Sequence, residues 1–172
     1  MKILITGFPG TGKTSVAHEL SRRGHNAYDP EAMRGYMHLQ SVGTGRNIHK
    51  PDHPPRGWYD TVASYNWDLP RVAKLIEGHE DVFICSLADN MEALLPSFDK
   101  VFVLVLDDLL LKQRIRKRNS KGPGNDPSQL ADVLMLHRHF EASMTEAGAI
   151  PINVESGVSE VVARILNLSY DN

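Results

Sequence analysis

Residues 7–14 read Gly7-Phe8-Pro9-Gly10-Thr11-Gly12-Lys13-Thr14 and match the pattern G-x-x-x-x-G-K-[S/T] in full. An apolar run at residues 2–6 precedes this segment and a helical pattern at residues 14–23 follows it, which is the context that the pattern requires. Glycines let the backbone N–H groups of such a loop approach phosphate oxygens, and the N-terminus of the next helix adds partial positive charge. The segment therefore predicts a phosphate-binding loop, in which Lys13 reaches the β- and γ-phosphates and the Thr14 hydroxyl binds Mg²⁺. The nucleotide contacts expected from it are Gly7, Pro9, Gly10, Thr11, Gly12, Lys13, Thr14 and Ser15.

Outward from this loop, apolar runs alternate with helical patterns. The runs lie at residues 2–6, 26–28, 82–85, 101–106 and 150–153. The helical patterns lie at residues 14–23, 31–40, 69–76, 91–95, 108–118, 128–147 and 159–168. This alternation predicts an α/β protein, with a parallel sheet covered by helices on both faces. A chain of 172 residues is expected to form a single domain, residues 1–172.

Composition excludes several classes of protein. The chain has 19 Lys and Arg against 21 Asp and Glu, a net charge of -2, so we expect no bulk binding to nucleic acid or anionic membrane. The only cysteine, Cys85, excludes an internal disulfide and a cysteine-built metal cage. No apolar run is long enough to span a bilayer. The first apolar run leads directly into the phosphate-binding loop, so we expect no signal peptide and a cytoplasmic protein, either a monomer or a homodimer.

A basic helix is predicted in the second half of the chain. At 100° per residue, Arg114 and Arg118 fall on the same side as Leu111 and Ile115. Arginines at the edge of an apolar stripe are well placed to clamp phosphate groups or to stack on a planar base. A solvent-exposed basic face is the alternative. The Gly- and Pro-rich turn that follows completes a short lid at about residues 114–127.

These features together resemble the superfamily of adenylate kinase, shikimate kinase and gluconate kinase. The shared features are the phosphate-binding loop near the N-terminus, the pattern Leu-x-x-Arg-Ile-x-x-Arg and the short lid. The resemblance implies a three-layer P-loop NTPase fold, with a five-stranded parallel sheet in the order 2-3-1-4-5, and it implies ATP and Mg²⁺ as cofactors. It also implies that Arg114 lies against adenine and Arg118 against the transferred phosphoryl group. Asn153 and Glu155 lie in a segment that resembles the adenine-contacting loop of the superfamily.

The acceptor side is expected at the carboxyl end of the second strand, where open α/β sheets bind ligands. Asp29 and Glu31 resemble the Asp-x-Asp of shikimate kinase, and Glu31 with Arg34 resembles the Asp-x-x-Arg of adenylate kinase. A carboxylate here orients an acceptor hydroxyl or accepts its proton, and Asp29 adds a metal contact beside Thr14. The alternative is structural, because Asp29 followed by Pro30 and Glu31 is also a sound helix start.

The acceptor-binding insert is predicted at about residues 30–78, with both tryptophans in it. Trp58 and Trp67 offer flat faces for stacking on an acceptor, or else they form a partly buried core. Ser86 follows Cys85 at the end of the third strand, as in the Cys-Ser of gluconate kinases, and is expected to face the acceptor. Trp58, Trp67 and Ser86 therefore join Asp29 and Arg34 as predicted acceptor contacts.

The predicted reaction is ATP-dependent phosphoryl transfer to a small acceptor, which is a nucleoside, a nucleotide or a hydroxylated metabolite. The residues expected to act directly on the reacting groups are Lys13, Asp29, Glu31, Arg114 and Arg118. One alternative is a regulatory nucleotide-binding ATPase without kinase turnover, because the strand at residues 82–85 lacks an acid at its carboxyl end. A second alternative is a nucleic-acid end kinase, which would use the basic run at residues 112–121.

Overall fold

A five-stranded parallel sheet forms the centre of the computed structural model, which describes residues 1–51, 55, 57–117 and 127–170. The strands are β1 (Lys2–Gly7), β2 (Ala27–Tyr28), β3 (Met37–Ser41), β4 (Ala63–Trp67), β5 (Val82–Cys85), β6 (Lys100–Val105) and β7 (Ile150–Asn153). The large sheet has the order β2-β5-β1-β6-β7. Numbered among themselves along the chain, these five strands follow the order 2-3-1-4-5, so the predicted topology is confirmed.

Helices cover both faces of this sheet, as the alternating pattern predicts. The described helices are α1 (Lys13–Arg22), α2 (Trp58–Thr61), α3 (Leu69–Glu77), α4 (Asp108–Lys117), α5 (Pro127–Glu146) and α6 (Val158–Tyr170), of which α2 packs against β4 of the small sheet. Neighbouring residues of a strand point to opposite faces. Ile3 and Ile5 accordingly pack in one core cluster with α1, α4 and α6, whereas Leu4 packs in the other with α3. None of the helices in the described ranges has the length and apolar character that crossing a membrane requires.

The helix predicted at residues 31–40 is wrong. A 3₁₀ turn, Pro30–Ala32, is followed by Gly35 at a φ of 82° and then by β3. This strand pairs antiparallel with β4, so that Met37 lies opposite Trp67. The apolar residues Met37 and Leu39 alternate with polar ones, and this period of two suits a strand better than a helix. The helix predicted at residues 91–95 is a 3₁₀ helix, Met91–Ser97, instead.

Side chains that follow β5 fasten the β3–β4 hairpin to the large sheet. Asp89 accepts a hydrogen bond from the backbone N–H of Tyr65 and donates its own N–H to the carbonyl of Tyr65, both at 2.7 Å. Asn90 binds the backbone N–H and carbonyl of Trp67, at 2.8 and 3.0 Å. Asp89 and Asn90 thereby supply hydrogen-bond partners to the backbone groups on the outer edge of β4, as a short third strand would. The hairpin is thus held beside the carboxyl end of the sheet.

Candidate functional site

The phosphate-binding loop joins β1 to α1 in the conformation that its glycines allow. Gly10 and Gly12 have φ values of 109° and 105°, in the left-handed region that side chains with a Cβ rarely adopt. Thr11 is buried, and its backbone N–H and its hydroxyl both donate to the carbonyl of Phe8, at 3.1 and 2.9 Å. The loop therefore turns directly into the N-terminus of α1, where unpaired N–H groups favour an anion.

Both predicted carboxylates lie next to this loop. The Thr14 hydroxyl donates to Oδ2 of Asp29 at 2.7 Å, while Oδ1 of Asp29 accepts from the backbone N–H of Glu31 at 3.0 Å. The buried Lys13 ammonium donates to the carbonyl of Gly7 at 2.9 Å and lies 3.7 Å from Oε1 of Glu31. The end of β2 and the start of α1 therefore bring a hydroxyl, an ammonium and two carboxylates together.

Arg114 reaches the loop from α4. Its Nη1 donates to the carbonyls of Gly10 and Thr11, at 3.3 and 2.9 Å, and its Nη2 donates to the carbonyl of Val154 at 2.8 Å. Partial burial lowers the pKa of this guanidinium, although an arginine stays charged. Arg114 thus connects the phosphate-binding loop to the segment that follows β7. Arg118 and most of the predicted lid lie outside the described residues.

A cavity of about 500 Å³ lies along the loop, which is within the usual range for small-molecule sites. Its lining includes all of residues 9–15, together with Glu31 and Arg114. The segment after β7 contributes Val154 and Ser156 to the lining rather than the predicted Asn153 and Glu155. Oδ1 of Asn153 instead accepts from the backbone N–H of Glu155 at 2.8 Å.

The sequence interpretation also missed the apolar side of the cavity, formed by Val16, Val158 and Val161. Val16 and Val161 belong to helical apolar patterns, and nothing in those patterns distinguishes a cavity wall from ordinary core. The wall matters because ligand sites are mostly apolar, with a few polar groups that fix orientation.

The residues of the cavity fit a nucleotide with Mg²⁺. Magnesium prefers oxygen ligands and is usually bound by one or two side chains together with phosphates and water. The Thr14 hydroxyl and the Asp29 carboxylate supply such oxygens beside the loop. Within the described part of the chain, no three His, Cys, Asp or Glu side chains form a group that could hold a metal without such help.

The predicted acceptor contacts separate into two groups. Asp29 lies beside the loop, and Arg34 is exposed and forms no hydrogen bond or ion pair with any described residue. Trp58 and Trp67 are only 7% and 3% exposed, which leaves little surface for stacking. The indole N–H of Trp67 donates to the fully buried hydroxyl of Ser86 at 3.0 Å. Trp67 and Ser86 thus join the hairpin to the end of β5, which agrees with the alternative of a buried core.

A family model described as "AAA domain" matches residues 3–132 of the chain. A comparison with curated proteins finds no match. Among solved structures, shikimate kinase from Aquifex aeolicus is 21% identical, with a TM-score of 0.54 over 98% of this chain and 95% of that one. Deoxyadenosine kinase from M. mycoides with bound dATP is 14% identical, with a TM-score of 0.57 over 99% and 100% of the two chains. At these identities the likeness shows the fold, and it confirms the fold that the sequence resemblance implies.

Proposed function

The chain belongs to the AAA domain family, and from this premise we propose that it transfers the γ-phosphoryl group of ATP to a small acceptor. The observation that supports the proposal most directly is that Lys13, Thr14 and Arg114 line one cavity along the phosphate-binding loop. The Thr14 hydroxyl is in turn hydrogen-bonded to Asp29. Glu31 lines the same cavity and supplies a carboxylate for the acceptor. In this proposal the acceptor-binding insert spans about residues 30–78 and the lid about residues 114–127 of a single domain.

Charge placement and orientation are the main contributions of this chain to such a reaction. Bound MgATP supplies the phosphoryl group and a divalent charge on the phosphate oxygens. Lys13 is buried, so its ammonium charge is weakly screened by solvent and acts strongly on a neighbouring phosphate. Gly10 and Gly12 already hold the loop in its left-handed turns, with φ values of 109° and 105°, so little reorganisation opposes binding.

Thr14 and Asp29 are the proposed metal contacts. Asp29 is only 8% exposed, and its second oxygen is held by the N–H of Glu31. This hydrogen bond fixes the carboxylate with its other oxygen toward Thr14, so the pair is oriented before a ligand arrives. Replacing Asp29 by Asn is expected to raise the Mg²⁺ concentration needed for half-maximal activity.

Glu31 is the residue that we propose to orient the acceptor hydroxyl and to accept its proton. Its side chain is 46% exposed, and its Oε1 lies 3.7 Å from Nζ of Lys13. A carboxylate within hydrogen-bond reach of an acceptor hydroxyl can take its proton as a general base. Arg34 and Asp29 remain proposed acceptor contacts.

Arg114, Asn153 and Glu155 are proposed around the base of the nucleotide, and Arg118 on the transferred phosphoryl group. The guanidinium of Arg114 already spans the loop and Val154, which borders the cavity. A planar guanidinium in this position can lie flat against a base. Arg114→Ala is therefore expected to weaken MgADP binding by at least about tenfold.

A coupled assay of ADP release tests the proposal. Wild-type protein receives MgATP and, one at a time, nucleosides, deoxynucleosides, nucleoside monophosphates, shikimate, gluconate and a 5′-hydroxyl oligonucleotide. Lys13→Ala is expected to lower acceptor-dependent turnover by at least about 100-fold, the scale for one preorganised charged donor. Arg164→Ala is the matched control, because Arg164 is an exposed cation on α6 that does not line the cavity. Unchanged nucleotide binding and turnover in Lys13→Ala would contradict the proposal.

A regulatory ATPase without kinase turnover is the second candidate. One observation at the end of β5 favours it. Ser86 occupies the position where an acid would be expected, and its hydroxyl accepts a hydrogen bond from the indole N–H of Trp67. ADP release at a constant slow rate, with no acceptor in the panel raising it, would favour this candidate. Stimulation by the oligonucleotide alone, together with salt-sensitive binding, would instead indicate an end kinase.

A further inference from the structure

Helix α5 buries a histidine that the proposed reaction does not use. His137 is 1% exposed, and its ring packs edge-on against Phe8, with the ring centroids 5.6 Å apart and an interplanar angle of 66°. Phe8 belongs to the phosphate-binding loop, and its carbonyl holds both the N–H and the hydroxyl of Thr11. His137 therefore contacts the loop directly.

Two carboxylates flank this imidazole. Oε1 of Glu141 lies 2.6 Å from Nε2, and Oδ1 of Asp108 lies 3.8 Å from Nδ1. Glu141 also accepts a hydrogen bond at 3.2 Å from the backbone N–H of Leu106, just after β6. Asp108 is the first residue of α4, the helix that carries Arg114. The His137 side chain thus contacts the phosphate-binding loop, Asp108 of α4 and Glu141 of α5. Glu141 in turn connects it to the end of β6.

The imidazole of His137 lies between two carboxylates without a hydrogen bond of good geometry. Neither ring nitrogen has hydrogen-bond geometry toward a described residue, although both face carboxylate oxygens. Arg138 pairs with Asp108 from the solvent side and lowers the pKa of that carboxyl, so Asp108 stays ionised. A buried polar group without a hydrogen bond costs stability, so its presence calls for another reason.

We propose that His137 is a positioning residue for the nucleotide site, an inference that rests on the proposed nucleotide binding. Helix α4 meets the phosphate-binding loop at two places. Arg114 binds the carbonyls of Gly10 and Thr11, and Asp108 approaches the loop through His137 and Phe8. Arg114 follows Asp108 by six positions along the helix, a rigid spacing of about 9 Å. With both places held, α4 cannot pivot about Arg114, and the loop and the guanidinium keep one relative position.

MgADP affinity, measured by isothermal titration calorimetry, tests this role. His137→Phe keeps an aromatic ring against Phe8 and removes both nitrogens, and it is expected to weaken MgADP binding by about tenfold. Glu141→Gln keeps the size of the partner and removes its charge, with an expected loss of similar size. The double variant is expected to lose little more than either single one, because both changes break the same interaction. His139→Phe is the matched control, an exposed histidine on the same helix, and is expected to bind within twofold of wild type.

The outcomes separate this inference from the proposed function. If wild-type protein binds no MgADP, the proposed function fails. If wild type binds and His137→Phe and Glu141→Gln both bind within twofold of it, the positioning role is overturned. Urea unfolding is measured in parallel, because a purely structural role would couple the two variants in stability and leave MgADP affinity unchanged. Should His137→Phe fail to fold, Glu141→Gln alone decides, and affinity within twofold of wild type overturns the inference.

Discussion

The hydrogen bond between Trp67 and Ser86 decides whether these residues are structural or bind an acceptor. Both side chains are buried, with the indole nitrogen 3.0 Å from the serine oxygen. Ser86→Ala leaves the indole N–H buried without an acceptor, which is expected to cost about 1–3 kcal/mol of unfolding free energy. Trp67→Phe loses the same bond and leaves a small cavity, for about 2 kcal/mol or more. Because both changes remove one interaction, the double variant is expected to show a coupling energy of about 1 kcal/mol.

Urea unfolding followed by far-UV circular dichroism measures these free energies. Ser143→Ala, at an exposed serine, is the matched control and is expected to stay within about 0.5 kcal/mol of wild type. MgADP affinity is expected to remain unchanged in all variants, because neither residue lines the cavity. A coupling energy below about 0.3 kcal/mol, the scatter for independent sites, would refute the structural role. Unchanged stability with a raised KM for an acceptor would instead support the predicted substrate contact.

Three further predictions follow from local geometry. Gly7→Ala places a Cβ 3.0 Å from Cβ of Leu104 and 3.2 Å from its carbonyl oxygen, so we expect a loss of about 1–3 kcal/mol in urea unfolding and weaker MgADP binding. Hydrogen bonds from two arginines lower the pKa of Glu19 to about 2 from 4.5, so the stability that they contribute is present above pH 4.5 and is lost as the pH falls through 2. Glu19→Gln is therefore expected to lose this stability in full at pH 7 and to lose almost none near pH 2. The measurement is the urea midpoint of wild type and variant at each pH, and a difference that stays constant from pH 7 to pH 2 would contradict the prediction. Asn90→Ala removes two hydrogen bonds to the backbone of Trp67 and is expected to cost about 1–2 kcal/mol and to speed amide exchange in β4, whereas unchanged exchange would show that the hairpin is held by other contacts.

Local sequence predicted the nucleotide side of the structure well. The strand predicted at residues 82–85 matches β5 in both bounds, because a strand buried along its whole length is a continuous apolar run. The strand at residues 150–153 also matches β7, which lies at the edge of the sheet with Ile152 buried. The contact of Asp29 with Thr14 lies at the carboxyl ends of the strands, where open α/β sheets bind ligands and where the sequence placed both residues. Arg114 reached the loop because its helical phase with Leu111 directs it to the core edge.

Local sequence did not predict the structure of the acceptor side. A helix was expected where β3 forms, because the partner strand β4 begins more than twenty residues after β3 ends and no short window contains both. Strand pairing depends on side chains across the sheet rather than on neighbours in sequence. The aromatic window at residues 58–67 was consistent with stacking or with core, and the burial of Trp67 against Ser86 depends on contacts that form only in the folded chain.

The phosphate-binding loop is a local property of residues 7–14, because glycine φ angles and the first turn of a helix involve only adjacent residues. The amino-acid sequence alone therefore predicted this loop, and with it a phosphate-containing ligand. The burial of a side chain, in contrast, depends on the tertiary packing of the whole domain. Whether His137 would face solvent or lie between Phe8, Asp108 and Glu141 depended on how α4 and α5 pack against the loop, and contacts between distant segments form only in the folded chain.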